Sequence, residues 1–578
     1  MGRLMRVASL RRRGAARVAW ASALGVILLG IGFDVGAATA AADSPAAEAR
    51  AGERPRGRPR PGPGARRLDV LVPPAVMHGI EGINFDLDGS LLGTSIHGLS
   101  VYRIDVRSGA VTVAVGPPEG EADDVAVGPK GTPVEGVIAW TAQRTGELRY
   151  QRPGGRPQVA LPDAPRVNPV AFSADGRLYT AQVGAGDDTL WEIDLAGGRA
   201  PRKVLSGRGR LNGFAFGPDG RLYAPQFGTD RLVAIDVASG ESTTIASGVG
   251  APAAVRVAPN GDLWHVDYLT GDVWTTPKAD GRPRILTRVR EPIDSIAIDR
   301  DGMLYVSNVA DSSVTAIDPR SGRSRDVVPA SFAMPLGLAF APLDGVPTLL
   351  AADPFGYRWV DPANGRLTRP HWAANRGASS AVAADERFIA WSWEGTGRVR
   401  VLDRRSDQLL VDAKDLGAPR GILLARDGEV IVADAAGGRL LRVSASGVRP
   451  IVAGLEQPLA LAWDGAAAVL VAEARGARVS RVALTDGSRR TVVEGLQRPT
   501  ALARLADGRI VVAEPDTGEV LAIDPRSSRR TLLASGLALS LEGLDLPRDT
   551  NGGVAVGPDG AVYVSCPNDN SIVRIVPR

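Results

Sequence analysis

Five residues with oxygen-bearing side chains, Glu81, Asp123, Asn168, Asn212 and Asp294, each precede a short apolar run, and they fall on a common period of about 42 residues, with one period skipped. Carboxylates and amide oxygens brought to one point are what a hard cation such as calcium requires. Without a cation, acids held that close would repel one another or take up protons. Taken singly, the same residue types also cap the start of a strand, so cation binding and local capping both stand as readings. The skipped position holds Ala253, which can do neither.

The spacing itself comes from a repeated phrase. Its clearest copies are "NGFAFGPDGRLYAPQFGTDRLVAIDVASGESTTIA", "DSIAIDRDGMLYVSNVADSSVTAIDPRSGRSRDVV" and "TALARLADGRIVVAEPDTGEVLAIDPRSSRRTLLA". Each reads as four strands: an inner strand, a D-G turn, a second strand, a polar turn, a third strand ending in Ile-Asp, an S-G turn and an outer strand. Inner strands begin at Glu81, Asp123, Asn168, Asn212, Ala253, Asp294, Leu336, Ser380, Arg420, Leu459, Thr500 and Gly552. Four-stranded units repeated radially make a β-propeller, and twelve of them fit two six-bladed rings better than one. The predicted fold class is therefore all-β, as tandem six-bladed β-propellers over residues 68–334 and 335–578.

That architecture sorts positions. Inner-strand starts and second-strand ends share one face near the channel, and the D-G and S-G turns share the other. "FDLDGS" and "IDRDGM" are thereby turns rather than pieces of an EF-hand. The second-strand ends place Ser95 with nearby His97, Thr141, Gln182, Gln226, Asp267 and Asn308 around the first axis. Of these, Gln182, Gln226 and Asn308, with Asp123, are expected to line a pocket. The second ring has no carboxylate at its inner-strand starts, and Arg420, alone at its axis, is placed to meet an anion. Its second-strand acids Asp353, Asp434 and Glu473 each stand five residues before an arginine, Arg358, Arg439 and Arg478, across a tight turn, which predicts hairpin ion pairs. For strand exchange at closure, the most local arrangement lets Leu68–Pro73 finish blade six and frees Ser324–Pro329 to finish blade twelve.

Composition excludes some functions. Residues 1–67 carry 13 Arg and 4 acids, leaving 55 basic and 60 acidic side chains in the remainder; the repeated body is mildly acidic and offers no basic face for nucleic acid. The start of the chain reads as a signal peptide over 1–42: an Arg-rich opening, the apolar "ALGVILLGIG", then "AATAAADS". This implies export to a periplasmic or extracellular compartment, with no stable membrane span once the signal is cleaved. Residues 43–67, rich in Arg, Pro and Gly, read as a disordered linker. Cys566 is the only cysteine, so no intramolecular disulfide forms. No G-x-S-x-G, H-E-x-x-H, C-x-x-C or phosphate loop occurs after the linker.

"IEGINFDLDGSLLGTS" and "LNGFAFGPDGRLY" resemble phrases of the SMP-30/gluconolactonase and strictosidine-synthase-like propeller group, whose blades also resemble NHL repeats. The resemblance implies a calcium site in which Glu81, Asn168 and Asn212 are ligands. The family's last ligand, an Asp, falls here on Ala253, and the nearest carboxylates are Asp267 and Asp294, so Asp294 is the expected fourth ligand. It further implies hydrolysis of a small lactone or ester, with Asp294 or Asp267 activating water and His97 as an acid or base. His265, in mid-strand, reads as a packed side chain. Two alternatives stand beside that reading: a non-enzymatic scaffold that binds a protein, peptide or glycan, and a metal-dependent lyase of similar fold.

Overall fold

The computed structural model describes residues 58–184, 188–207, 209–371, 378–547, 550 and 552–578. The expected signal segment, and the linker up to residue 57, lie outside the described residues. Among those described, twelve antiparallel sheets form, eleven of four strands and one of five. Blade four shows why the phrase folds as it does. Ala215–Phe216 and Leu222–Gln226 pair through the Pro218-Asp219-Gly220 turn, where Gly220 has φ 77° and its N–H donates to Gly217 O. Positive φ is where glycine costs nothing sterically. Arg231–Ile235 then ends at Asp236, whose carboxylate accepts the N–H groups of Ala238 and Ser239 at 2.9 and 3.0 Å and so makes the turn into Ser242–Ser247. The Ile-Asp-x-x-S-G phrase is thus a side-chain-capped turn. These two N–H bonds also hold the Asp236 carboxyl below its usual pKa.

The chain divides into two compact units. One comprises Val76–Ala333 with Gly543–Asp545; the other holds residues 58–75, Met334–Glu542 and Leu546–Arg578. Each holds six sheets, and in each the first and last inner strands are neighbours. Both are β-propellers.

Closure differs from the expected exchange. Ser324–Val328 stays on Val314–Ile317 of its own blade, tethered by the short Asp318 turn, so every blade of the first ring is made of contiguous chain. Ala65–Val72 instead pairs antiparallel with Ser571–Pro577 and completes blade twelve. A short local loop costs little closure entropy, so blade six never releases its outer strand. The unpaired edge that needs a partner is that of the last strand. The linker reading also changes at its C-terminal end: Arg60–Pro61 pairs with Ser535 and Ala534, and Ala65–Val72 begins the closing strand. Backbone anchors it where side chains do not. The Gly62 and Gly64 N–H groups donate to Leu533 O and Leu532 O, and a Cβ on Gly62 would sit 2.3 Å from Leu532 O.

Without strand exchange, the first ring closes side by side. Phe85 packs edge-on to Tyr305, with ring centroids 5.2 Å apart, and the Ser307 hydroxyl, next to last in its strand, donates to Glu81 O at 2.5 Å. The same position closes the second ring, where the Ser565 hydroxyl donates to Leu336 O at 2.8 Å. The hairpin ion pairs form as expected: Arg439 Nε lies 2.8 Å from Asp434, and Arg478 holds Glu473 with two bonds of 3.0 and 2.8 Å. Arg358 Nε stands 3.8 Å from Asp353.

Candidate functional site

Backbone bonding fixes three of the axial residues to their own second strands. The N–H groups of Glu81, Asp123 and Asn212 donate to Thr94 O, Thr141 O and Pro225 O, each next to last in its strand. Asn168 and Asp294 lie within register shifts, between Val167 and Val170 and between Ile293 and Ile296. Bulges of this kind re-aim a side chain.

The carboxylates of Glu81 and Asp123 are buried, with only 5 and 7% of each residue exposed, and Asp294 is partly exposed. Burial raises the Glu81 carboxyl well above its ordinary pKa, and the charges of Asp123 and Asp294 raise it further. Asp123 is raised by burial, then by Asp294, Asp124 and Glu121. Asp294 is pushed up to about 7 by burial and by Asp124. Asp123 accepts the Asn168 amide N–H at 2.8 Å and the Gln143 amide N–H at 2.9 Å. Glu81 accepts the Ile96 N–H at 3.2 Å. With its nitrogen on Asp123, Asn168 keeps its amide oxygen for another partner. Asn212 uses its oxygen locally, on the Gly213 N–H at 3.0 Å. Among the described residues no three His, Cys, Asp or Glu side chains stand close enough together to hold an ion by themselves, so a cation on this axis would rest on amide oxygens as well. The donor set of acids and amides suits a hard cation.

Other expected site residues are occupied elsewhere. Asp267 caps a turn, accepting the N–H groups of Leu269, Thr270 and Ala251. Gln182 bridges Pro165 O and the Trp191 indole, and Asn308 bridges Arg290 O and the N–H groups of Ala310 and Asp311. Gln226 remains partly exposed at the end of Leu222–Gln226, bridged by backbone to Leu211. His265 is fully buried, stacked on Trp274 and bonded to the Thr276 hydroxyl, and burial pulls its pKa down to about 3. His97 lies in a second buried group with Asp545, whose carboxylate pairs with Arg144, while the Arg144 backbone N–H donates to Glu121. Burial lowers His97 to about 4 and raises Asp545 to about 7.

In the second ring, Arg420 does not await an anion. It pairs with Glu394, and the Thr550 hydroxyl accepts from Arg420 at 2.7 Å and donates to Glu394 at 2.9 Å. A buried cation needs a partner, and the chain supplies one from an acid outside the repeated phrase.

Several participants had no place in the sequence reading. Among them, Asp124 follows Asp123 at a position that holds Gly, Ala, Ser or Pro in every other blade. Asp545 lies in the connection between blades eleven and twelve, which is longer than its counterparts; that extra length was its only signal.

No protein-family profile matches the chain, and no curated protein matches it. Solved structures similar to it include "Crystal structure of Nidogen/Laminin Complex", 20% identical with a TM-score of 0.31, covering 38% of this chain and 89% of that one. Another is "Streptogramin B lyase structure", 12% identical with a TM-score of 0.26, covering 64% of this chain and 93% of that one. The likeness is one of fold alone.

Proposed function

We propose that the first ring is a divalent-cation-dependent hydrolase of small lactones or esters, carried by an exported protein. The observation that supports it most is that the buried Glu81 and Asp123 carboxyls are both raised by the charge of Asp294, an arrangement without counterpart at the inner-strand starts of the second ring, which carry no carboxylate. Glu81, Asp123 and the amide oxygens of Asn168 and Asn212 would hold calcium. A calcium ion held there would supply Lewis-acid polarisation of a carbonyl and a positive charge for the oxygen that becomes negative. Asp123, fixed by Asn168 and Gln143, orients the group bound against it. Among the described residues no hydrogen-bond donor reaches the Asp294 carboxylate, which leaves it available to take a proton from the attacking water. Asp267 is less suited, since three backbone N–H groups already occupy it.

A second reading, a propeller scaffold binding a protein, peptide or glycan, is favoured by Ala253 and by the local use of the Asn212 oxygen. One experiment separates the two: metal content and turnover of aryl esters and lactones by the purified chain, with E81Q and D294N beside it. Stoichiometric calcium, lost in E81Q, with turnover lost in both variants, is expected. Calcium bound without turnover of any ester or lactone would favour the scaffold.

A further inference from the structure

Each second strand is followed by one residue that borders the axis of its ring. In blade two it is Gln143, whose amide N–H donates to the axial Asp123 at 2.9 Å. In blade one it is Ile96, whose backbone N–H donates to the axial Glu81 at 3.2 Å. In the second ring the same position holds Glu394, paired with the axial Arg420. Backbone bonding repeats the placement in the next blades. Val183, Phe227 and Tyr268 each donate an N–H to the carbonyl two residues before the axial position of their blade, Arg166 O, Arg210 O and Ala251 O, at 3.0, 3.1 and 3.0 Å.

The two rings differ in what they put there. The first has Ile96, Gln143, Val183, Phe227, Tyr268 and Val309; the second has Pro354, Glu394, Ala435, Ala474, Pro515 and Pro567. A packing demand of the fold would fall on both rings alike, yet large apolar side chains stand only in the ring that carries the axial acids. Phe227 and Tyr268 meet edge-on, with ring centroids 6.1 Å apart, a geometry that aromatic pairs favour. They close the second strands of blades four and five, across the ring from Glu81 and Asp123 in blades one and two. On their side the polar ring is weakest, because the Asn212 oxygen is used on the Gly213 N–H and blade five has Ala253. Asn168, Asn212 and Asp294 are only half-buried, which leaves the axis open to a small molecule, and the buried aromatic pair forms one wall of it.

We propose that Phe227 and Tyr268 select the substrate, so that the first ring takes esters and lactones bearing an aromatic or bulky apolar substituent in preference to unsubstituted ones. This rests on the hydrolase reading above. The site has two sides, acids on one and aromatic surface on the other, and a substrate fits it in one orientation: reacting carbonyl toward the acids, apolar group against the pair. A phenyl group moved out of water onto that wall favours binding, whereas an unsubstituted ring or methyl ester leaves the wall unused. Both residues touch the apolar substituent and not the reacting atoms.

The test compares two pairs of substrates on the full chain in the presence of calcium: γ-phenyl-γ-butyrolactone with γ-butyrolactone, and methyl phenylacetate with methyl acetate. Members of a pair share the reacting group and differ by one phenyl. The parent should show kcat/KM about tenfold or more higher for the phenyl-bearing member. F227A and Y268A should each cut that ratio about threefold to tenfold, through a higher KM for the phenyl-bearing member. Y268F, which keeps the ring, should keep the ratio. Should an alanine variant fail to fold, F227L and Y268L, which keep apolar volume without the ring, should cut the ratio about threefold. A parent without preference, a ratio unmoved in the alanine or leucine variants, or a ratio lost in Y268F as fully as in Y268A would overturn the selection while leaving hydrolysis standing. A parent that turns over no member of either pair overturns the hydrolase reading, and this one with it.

Discussion

At the scale of residues, the first axis is a set of like charges held together against their own repulsion. For Asp294, whose folded pKa rises from 3.8 to about 7, the proton is bound more tightly in the folded chain than in the unfolded one. Its contribution to stability is therefore present below pH 3.8 and lost as pH rises through about 7. The direction is the same for Glu81 and Asp123. The chelator-treated protein should thus melt lower at pH 8 than at pH 5.5, with a smaller difference in D294N, as followed by circular dichroism. Calcium should raise the melting temperature more at pH 8 than at pH 5.5, because protons compete for the same oxygens. Equal calcium shifts at both pH values would place the ion elsewhere. The Glu81, Asp123 and Asp294 set was legible in the sequence because the repeat aligns them. The occupation of Asp267, Gln182 and Asn308 was not, since their partners are backbone groups that only a folded turn presents.

At the scale of elements, the seams between the first and last blades carry stability in two ways. Ser307 and Ser565 each supply one hydroxyl to the neighbouring inner strand. S565A leaves Leu336 O without that donor, and should cost about 1–2 kcal/mol in denaturant unfolding. The closing strand Ala65–Val72 buries Ala65, Leu71 and Val72 against blade twelve. Deleting residues 58–74 should cost several kcal/mol and expose the edge of Ser571–Pro577 to pairing between molecules, read as light scattering on heating. No loss of stability would mean that the strand is dispensable. The sequence placed a surplus strand at the start of the chain and a missing one at the end. It did not join them, because the choice between blades six and twelve turns on loop length and on which edge stands open.

At the scale of the whole molecule, two units with separate cores predict two unfolding transitions in calorimetry. Calcium should move only the one that contains Glu81, whereas the deletion of residues 58–74 should move the other. Cys566, buried in the second unit with its thiol pushed up to about 12 by burial, should react with a thiol reagent only once that unit melts, which assigns the transitions. The periodic phrase by itself determined the all-β class, the twelve blades and the polar ring of the first axis, because turn chemistry and strand alternation are local and repeat with the chain. Only the tertiary structure decided that Arg420 meets Glu394 and that His97 joins Asp545. Those pairs join residues far apart in the chain, and a buried charge takes whichever partner the fold brings to it.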